Sequence, residues 1–181
     1  MSVYEQLRKR LSGRVLESPD LQRVWGQQHT PVLYRPKTGD LVLRTPYRSD
    51  NCEWITQQAG PRARLEWDRD RQRWTLARNN FTRLTAHLAE RYGQVYTVTI
   101  YHPKEECAPA CWVASGSECT CKCLGLKHGS DTPPEGRLTV ISEAYAFGVG
   151  KDHFAVRLVT SSASVLLAQV AASSVSRAVL D

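Results

Sequence analysis

The stretch CAPACWVASGSECTCKCLGLKHG, residues 107–129, carries five of the six cysteines of a 181-residue chain. It is polar and glycine-bearing, with too few apolar residues to build a core of its own. A segment of that kind needs cross-links to hold a shape. The spacing is Cys107-x3-Cys111-x7-Cys119-x-Cys121-x-Cys123-x4-His128. Thiolate and imidazole are preferred ligands of Zn²⁺, which takes four of them in a tetrahedron. Gly116, Gly125 and Gly129 permit the tight backbone that such ligation requires. The expected ligands are Cys107, Cys111 and two of Cys119, Cys121 and Cys123. On an extended strand all three of the latter point the same way, so spacing does not separate them. His128 either replaces one of them or stands behind the ligands as a hydrogen-bond partner. A disulfide framework, an iron–sulfur cluster and a two-metal site with bridging thiolates are the competing readings.

The compartment weighs on that choice. The first residues, MSVYEQLRKRLSGRV, lack the apolar core of a secretory signal, and no run of 18 apolar residues occurs. The expectation is a cytoplasmic protein with no membrane partner, whose thiols stay reduced and meet metal before each other. The site reads as structural. HExxH is absent, and Glu106 and Glu118 are carboxylates near the cysteines without a pattern that would make either a general base.

Charge is distributed unevenly. Residues 1–94 hold 17 Lys+Arg against 10 Asp+Glu, and the remainder holds 7 against 8. The whole basic excess precedes the cysteines. From Arg44 to Arg91 there are ten arginines and no lysine. Guanidinium grips phosphate through two parallel hydrogen bonds and stacks on bases, so nucleic acid is the expected partner. Arg44, Arg48, Arg62, Arg64, Arg73 and Arg78 are the candidate contacts, with Lys122 and Lys127 added from the cysteine stretch. Trp67 and Trp74 share a strand face with Leu65 and Leu76, and both are expected in the core; left exposed, they could stack single-stranded bases. Glu66, Asp68 and Asp70 would be the Mg²⁺ ligands of a metal-dependent nuclease, but a polar hairpin turn accounts for them better.

The order of elements follows from periodicity. Val3 to Leu16 carries helical spacing. PVLYRPKTGDLVLRTPY contains two short strands about Pro36–Asp40. SDNCEWITQQAG predicts a helix capped by Ser49 or Asp50, with Glu53 completing a capping box, Gly60 ending it, and Cys52, Ile55 and Ala59 on the buried face. RARLEW and RWTLAR flank the turn DRDRQ as a hairpin. NNFTRLTAHLAERYG is the clearest helix, with Phe81, Leu84, Leu88 and Tyr92 on one face, Asn80 as cap and Gly93 as stop. QVYTVTIYH alternates as a strand. RLTVISEAYAF and HFAVRLVT predict a second hairpin through GVGKD. The expected fold is α+β: a mixed or antiparallel sheet with a βαββαβ-like core, two helices on one face, a cysteine-rich zinc-knuckle insertion and a C-terminal hairpin. The expected units are a basic domain over 1–102, a metal module with its hairpin over 103–160, and a weak helix or frayed tail over 161–181.

The run PYRSDNCEWITQQAGPRARLEWDRDRQRWTLARNNFTRLTAHLAERYG resembles the HARP domain found beside annealing-helicase motors, through Trp67-Asp68, Trp74 and the helix from Phe81 to Tyr92. The resemblance implies DNA binding at junctions of single and double strands. It implies no ATP-driven activity, since GxxxxGK[ST] is absent. The cysteine spacing with SEAYAF and AVRLVT is similar to small uncharacterised bacterial and phage proteins, which supports the cluster as a unit. The expected function is a non-catalytic, zinc-stabilised nucleic-acid-binding module, DNA before RNA, alone or in a larger complex. The alternative is a phage- or mobile-element-encoded regulator whose basic surface docks on an acidic protein.

Overall fold

The computed structural model describes residues 15–110, 120, 124 and 139–161. The tail over 162–181 and most of the expected first helix lie outside them. Among the described residues the protein is α+β, with one seven-stranded mixed sheet and three helices. The strands are β1 (Val32–Tyr34), β2 (Leu41–Arg44), β3 (Glu66–Asp68), β4 (Arg73–Leu76), β5 (Gln94–Tyr101), β6 (Thr139–Val149) and β7 (Asp152–Ser161). The helices are α1 (Pro19–Trp25), α2 (Asn51–Ala59) and α3 (Phe81–Tyr92). Across the sheet the order is β3-β4-β2-β1-β5-β7-β6. Only the β1–β5 pair is parallel. Because β7 pairs with β5 from Gln94 to Tyr101, strands on both sides of the 102/103 boundary share this sheet.

Alternation along the strands assigns two cores, one on each face. Leu33, Leu41, Leu43, Leu76, Val95 and Val159 point toward α2 and α3, where Ile55, Ala59, Phe81, Leu84, Leu88 and Ala89 meet them. Val32, Tyr34, Val42, Val98, Phe154 and Val156 point the other way, toward Leu21 and Val24 of α1. Central β1 is buried on both faces, which is why Val-Leu-Tyr is an uninterrupted apolar run.

Helix α1 starts where Ser18 accepts the Leu21 backbone N–H at 3.3 Å, with Pro19 in its first turn, and both are favoured at a helix start. Helix α3 buries Phe81, Leu84, Thr85, Leu88 and Ala89, the i, i+3, i+4, i+7, i+8 stripe of an amphipathic helix.

Helix α2 departs from expectation in two ways. Ile55 and Ala59 are buried as expected, but Asn51 and not Cys52 completes the buried face, and Cys52 is exposed. Asn51 tolerates burial because its amide is satisfied. Nδ2 donates to Thr45 Oγ1 at 3.2 Å and to the Pro46 carbonyl at 2.8 Å, while Oδ1 accepts from Tyr92 Oη at 2.8 Å. The capping box also does not form. Asp50 makes no cap bond, since its carboxylate accepts from Arg91 Nη2 at 2.6 Å, and Glu53 accepts instead from Gln57 at 3.1 Å.

Gly60 ends α2 at φ 79°, ψ 174°, a conformation essentially reserved for glycine. Nothing lies within 4 Å of where a Cβ would stand, so backbone strain alone penalises a side chain there. Gly60→Ala is expected to lower unfolding stability by about 1–3 kcal/mol, read by urea denaturation. Unchanged stability would mean that the helix end adopts another conformation.

Candidate nucleic-acid interface and thiol segment

The β3–β4 hairpin forms the outer edge of the sheet, with Glu66 opposite Thr75, Trp67 opposite Trp74 and Asp68 opposite Arg73. Asp68 organises the turn. Its carboxylate accepts the Arg71 backbone N–H at 3.2 Å and Arg71 Nη1 at 3.3 Å, and lies 3.4 Å from Arg73 Nε. Burial alone would raise this carboxyl, but the hydrogen bonds from Arg71 and the charges of Arg73 and Arg71 hold it below its usual range. Gln72 takes φ 47° to close the turn.

The two tryptophans part company here. Their ring centroids are 4.6 Å apart at 48°. Trp74, flanked by β2, packs against the α2/α3 core as a half-buried residue. Trp67, on the edge strand, is 46% exposed. The expectation that both are core therefore fails for Trp67, because among the described residues no element lies beyond β3 to cover it. Its indole is a supported aromatic surface turned to solvent. Arg62 and Arg64 before β3, and Arg69 and Arg71 after it, are all exposed. Arg64 makes only a long contact of 3.7 Å to Asp40. Glu66 and Asp70 are exposed on the same edge and dilute the charge.

The other candidate arginines are differently placed. Arg73 is paired with Asp68, and Arg78 Nη1 donates to the Pro36 carbonyl. Arg44 is half-buried, its Nη2 3.5 Å from the Thr30 carbonyl, and burial lowers its pKa. Arg48 is exposed, its guanidinium 4.8 Å from the centroid of Tyr92. Next to it Arg91 lies 4.6 Å from the Trp54 ring and 5.7 Å from that of Tyr92, beside an open depression of about 280 Å³ lined by Trp54, Gln58, His87, Glu90 and Arg91. Lys122 and Lys127 lie outside the described residues.

Of the proposed metal ligands, Cys107 is described and is half-buried. Cys111, Cys119, Cys121, Cys123 and His128 lie outside the described residues. Among the described residues no three His, Cys, Asp or Glu side chains gather as a metal site, Glu66, Asp68 and Asp70 included. One described residue within the cysteine triplet, Thr120, is nevertheless informative. The Thr120 carbonyl accepts the His102 N–H at 2.7 Å, and Thr120 Oγ1 donates to Glu105 at 2.9 Å. Residues 105 and 120 therefore lie side by side. Cys107 is two residues from the first, at most about 7 Å along the chain, and Cys119 and Cys121 are bonded neighbours of the second. These two hydrogen bonds hold Thr120 against the 102–105 turn.

The sequence reading passed over Arg157. Among the described residues it is the largest fully buried side chain, at 0% exposure, in the middle of β7. Its signal is a lone charge in the apolar run Phe-Ala-Val-Arg-Leu-Val.

No family model, no curated protein and no solved structure matches the chain. The fold and site define an α+β protein with a mixed seven-stranded sheet and an arginine-flanked aromatic edge. No helix among the described residues is long and apolar enough to cross a membrane.

Proposed function

We propose that the protein is a non-catalytic nucleic-acid-binding module, for single-stranded or junction DNA before RNA, stabilised by Zn²⁺ on its cysteine-rich segment. The observation that carries this reading is the exposed Trp67, backed by Trp74 and flanked by exposed Arg62, Arg64, Arg69 and Arg71. An unstacked base meets an aromatic face while guanidinium groups hold the adjoining phosphates, and neither contact reads sequence. Duplex DNA hides its base faces, so a preference for single strands or forks follows. In this reading the chain from β2 to β5 is a HARP-like βαββαβ core. The zinc knuckle is inserted before the β6–β7 hairpin, and the module works in the cytoplasm, alone or in a complex. Cys107, Cys111, Cys119, Cys121, Cys123 and His128 supply the metal ligands, and the thiol-rich donor set suits zinc. When bound, the ion would supply stability to a segment with little core of its own.

The test is a titration of the full chain into labelled single-stranded DNA, forked DNA, duplex DNA and single-stranded RNA at two salt concentrations. Binding is expected to favour single strand and fork, with log K falling against log salt at a slope of about −2 to −3 for three or four phosphate contacts. The oligonucleotides are expected to remain intact in Mg²⁺. Absent or salt-insensitive binding would overturn the reading and turn attention to an acidic protein partner. Cleavage lost in Asp68→Ala would replace it with a nuclease.

A further inference from the structure

We propose that Tyr47, on the loop between β2 and α2, is a second base-stacking subsite, so that one single strand of DNA runs from Trp67 past the β3–β4 turn to Tyr47 and Arg48. This rests on the nucleic-acid reading above and deepens it, since the surface then takes a strand of several nucleotides and not a lone base.

Among the described residues the exposed large hydrophobic side chains are Trp67, at 46%, and Tyr47, at 92%. A single apolar side chain on a surface is ordinary. These two stand toward one end of three adjacent strands. Strand β2 pairs with β4 and β4 with β3, Leu43 lying opposite Trp74 and Trp74 opposite Trp67. One step outward Arg44 follows Leu43 and Arg73 precedes Trp74, so the 45–50 loop leaves the sheet beside the 69–72 turn. That loop leads to α2, which covers the face where Trp74 packs. Trp67, directly across from Trp74, shares this face. Counted along the chain from Tyr47 to Leu43 and then across two strand pairs, the Tyr47 and Trp67 Cα atoms are at most about 25 Å apart. At about 3.4 Å per stacked nucleotide, roughly seven nucleotides or fewer cover that span.

The loop is anchored on both sides of the ring. Buried Asn51 donates from Nδ2 to Thr45 Oγ1 at 3.2 Å and to the Pro46 carbonyl at 2.8 Å, and its backbone N–H donates to the Arg48 carbonyl at 3.2 Å. Residues before and after Tyr47 are thus fixed while the ring itself is given to solvent. An aromatic side chain on a fixed loop loses little freedom when a base stacks on it. The charge around it suits a phosphate backbone. Arg48 is exposed, its guanidinium 4.8 Å from the Tyr92 centroid, and Arg69 and Arg71 are exposed in the neighbouring turn. Asp70 is exposed with them and offsets part of that charge. Asp50, the acidic residue of the loop, is paired with Arg91 at 2.6 Å. A strand laid across this end of the sheet would stack bases at its two ends and meet guanidinium groups between them.

The test uses the full chain and its Tyr47→Ala, Tyr47→Phe and Trp67→Ala variants. Affinity for oligothymidylates of roughly four and roughly twelve nucleotides, lengths within the range of single-strand sites, is measured by displacement of a fluorescent single-stranded probe. Tyr47→Ala is expected to lower affinity for the longer strand about 10–100-fold and for the shorter one less than about 2-fold, because the shorter strand is held at Trp67 and ends before Tyr47. Tyr47→Phe should keep most of the longer strand's affinity, since a phenyl face also stacks. Trp67→Ala should weaken both lengths. The melting temperature of Tyr47→Ala should match the wild type, because the ring is 92% exposed, so a binding loss is not a folding loss. Wild-type affinity of Tyr47→Ala at both lengths, with Trp67→Ala weakened, would overturn the second subsite and leave the nucleic-acid reading standing. An equal loss at both lengths would also overturn it, because Tyr47 would then serve the same base as Trp67. A wild-type chain that binds neither strand overturns the nucleic-acid reading and this subsite with it.

Discussion

Trp67→Ala is expected to weaken single-stranded oligonucleotide binding by one to two orders of magnitude, the effect of losing about 1–3 kcal/mol of base stacking. The same change should leave the melting temperature nearly untouched, because the indole is 46% exposed and stands on an edge strand. Trp74→Ala provides the contrast. Trp74 packs against the core that α2 and α3 form with the sheet, so its removal should cost stability as well as binding. Trp67→Phe should retain much of the affinity, since a phenyl face still stacks. Fluorescence anisotropy with a short single-stranded probe checks all three. If Trp67→Ala binds like the wild type, the exposed indole is not the platform and the proposed function loses its main support.

Phe81→Ala is the substitution with the largest expected effect on the fold, a loss of about 3–5 kcal/mol. Phe81 is 1% exposed and begins α3. Its ring lies in the core shared with Leu33, Leu41 and Leu76, and the Arg35 guanidinium sits 5.3 Å from its centroid. Truncation removes the transfer energy of the ring and leaves a cavity that rigid strands on one side and α3 on the other cannot close. With total stability of about 5–15 kcal/mol expected for a domain, that is a fifth or more of the whole. Urea unfolding should show the midpoint fall at constant slope. A loss below about 1 kcal/mol would mean that the start of α3 is not docked on the sheet.

Local rules were legible wherever a single element decides the outcome. The stripe through Phe81, Leu84 and Leu88 marks α3 and its buried side, and alternation along β5 separates Val95 from Tyr96 and Val98 as the two cores do. The register of Trp67 against Trp74 follows from two short strands about a polar turn. Ser18-Pro19-Asp20 carries the start signal of α1. In the cysteine-rich segment, residue types and spacing suggest zinc ligands, and the His102–Thr120 hydrogen bond, distant in sequence, was not legible.

What escaped the sequence depended on partners distant along the chain. Alternation places Trp67 on a strand face, but only the position of β3 at the sheet edge leaves that face uncovered. Asp50 carries the chemistry of a helix cap, and Arg91, 41 residues later, takes its carboxylate instead. Asn51 displaces Cys52 from the buried side of α2 because Thr45, Pro46 and Tyr92 converge on its amide. Arg157 is tolerated inside the protein with Thr99 and Leu124 accepting from two of its nitrogens. Propensity, periodicity and turn chemistry are set by near neighbours, so residue order alone marks where helices and strands form and most of each apolar face. Burial and hydrogen-bond satisfaction depend on whatever the folded chain brings alongside, and that juxtaposition exists only once the sheet is assembled.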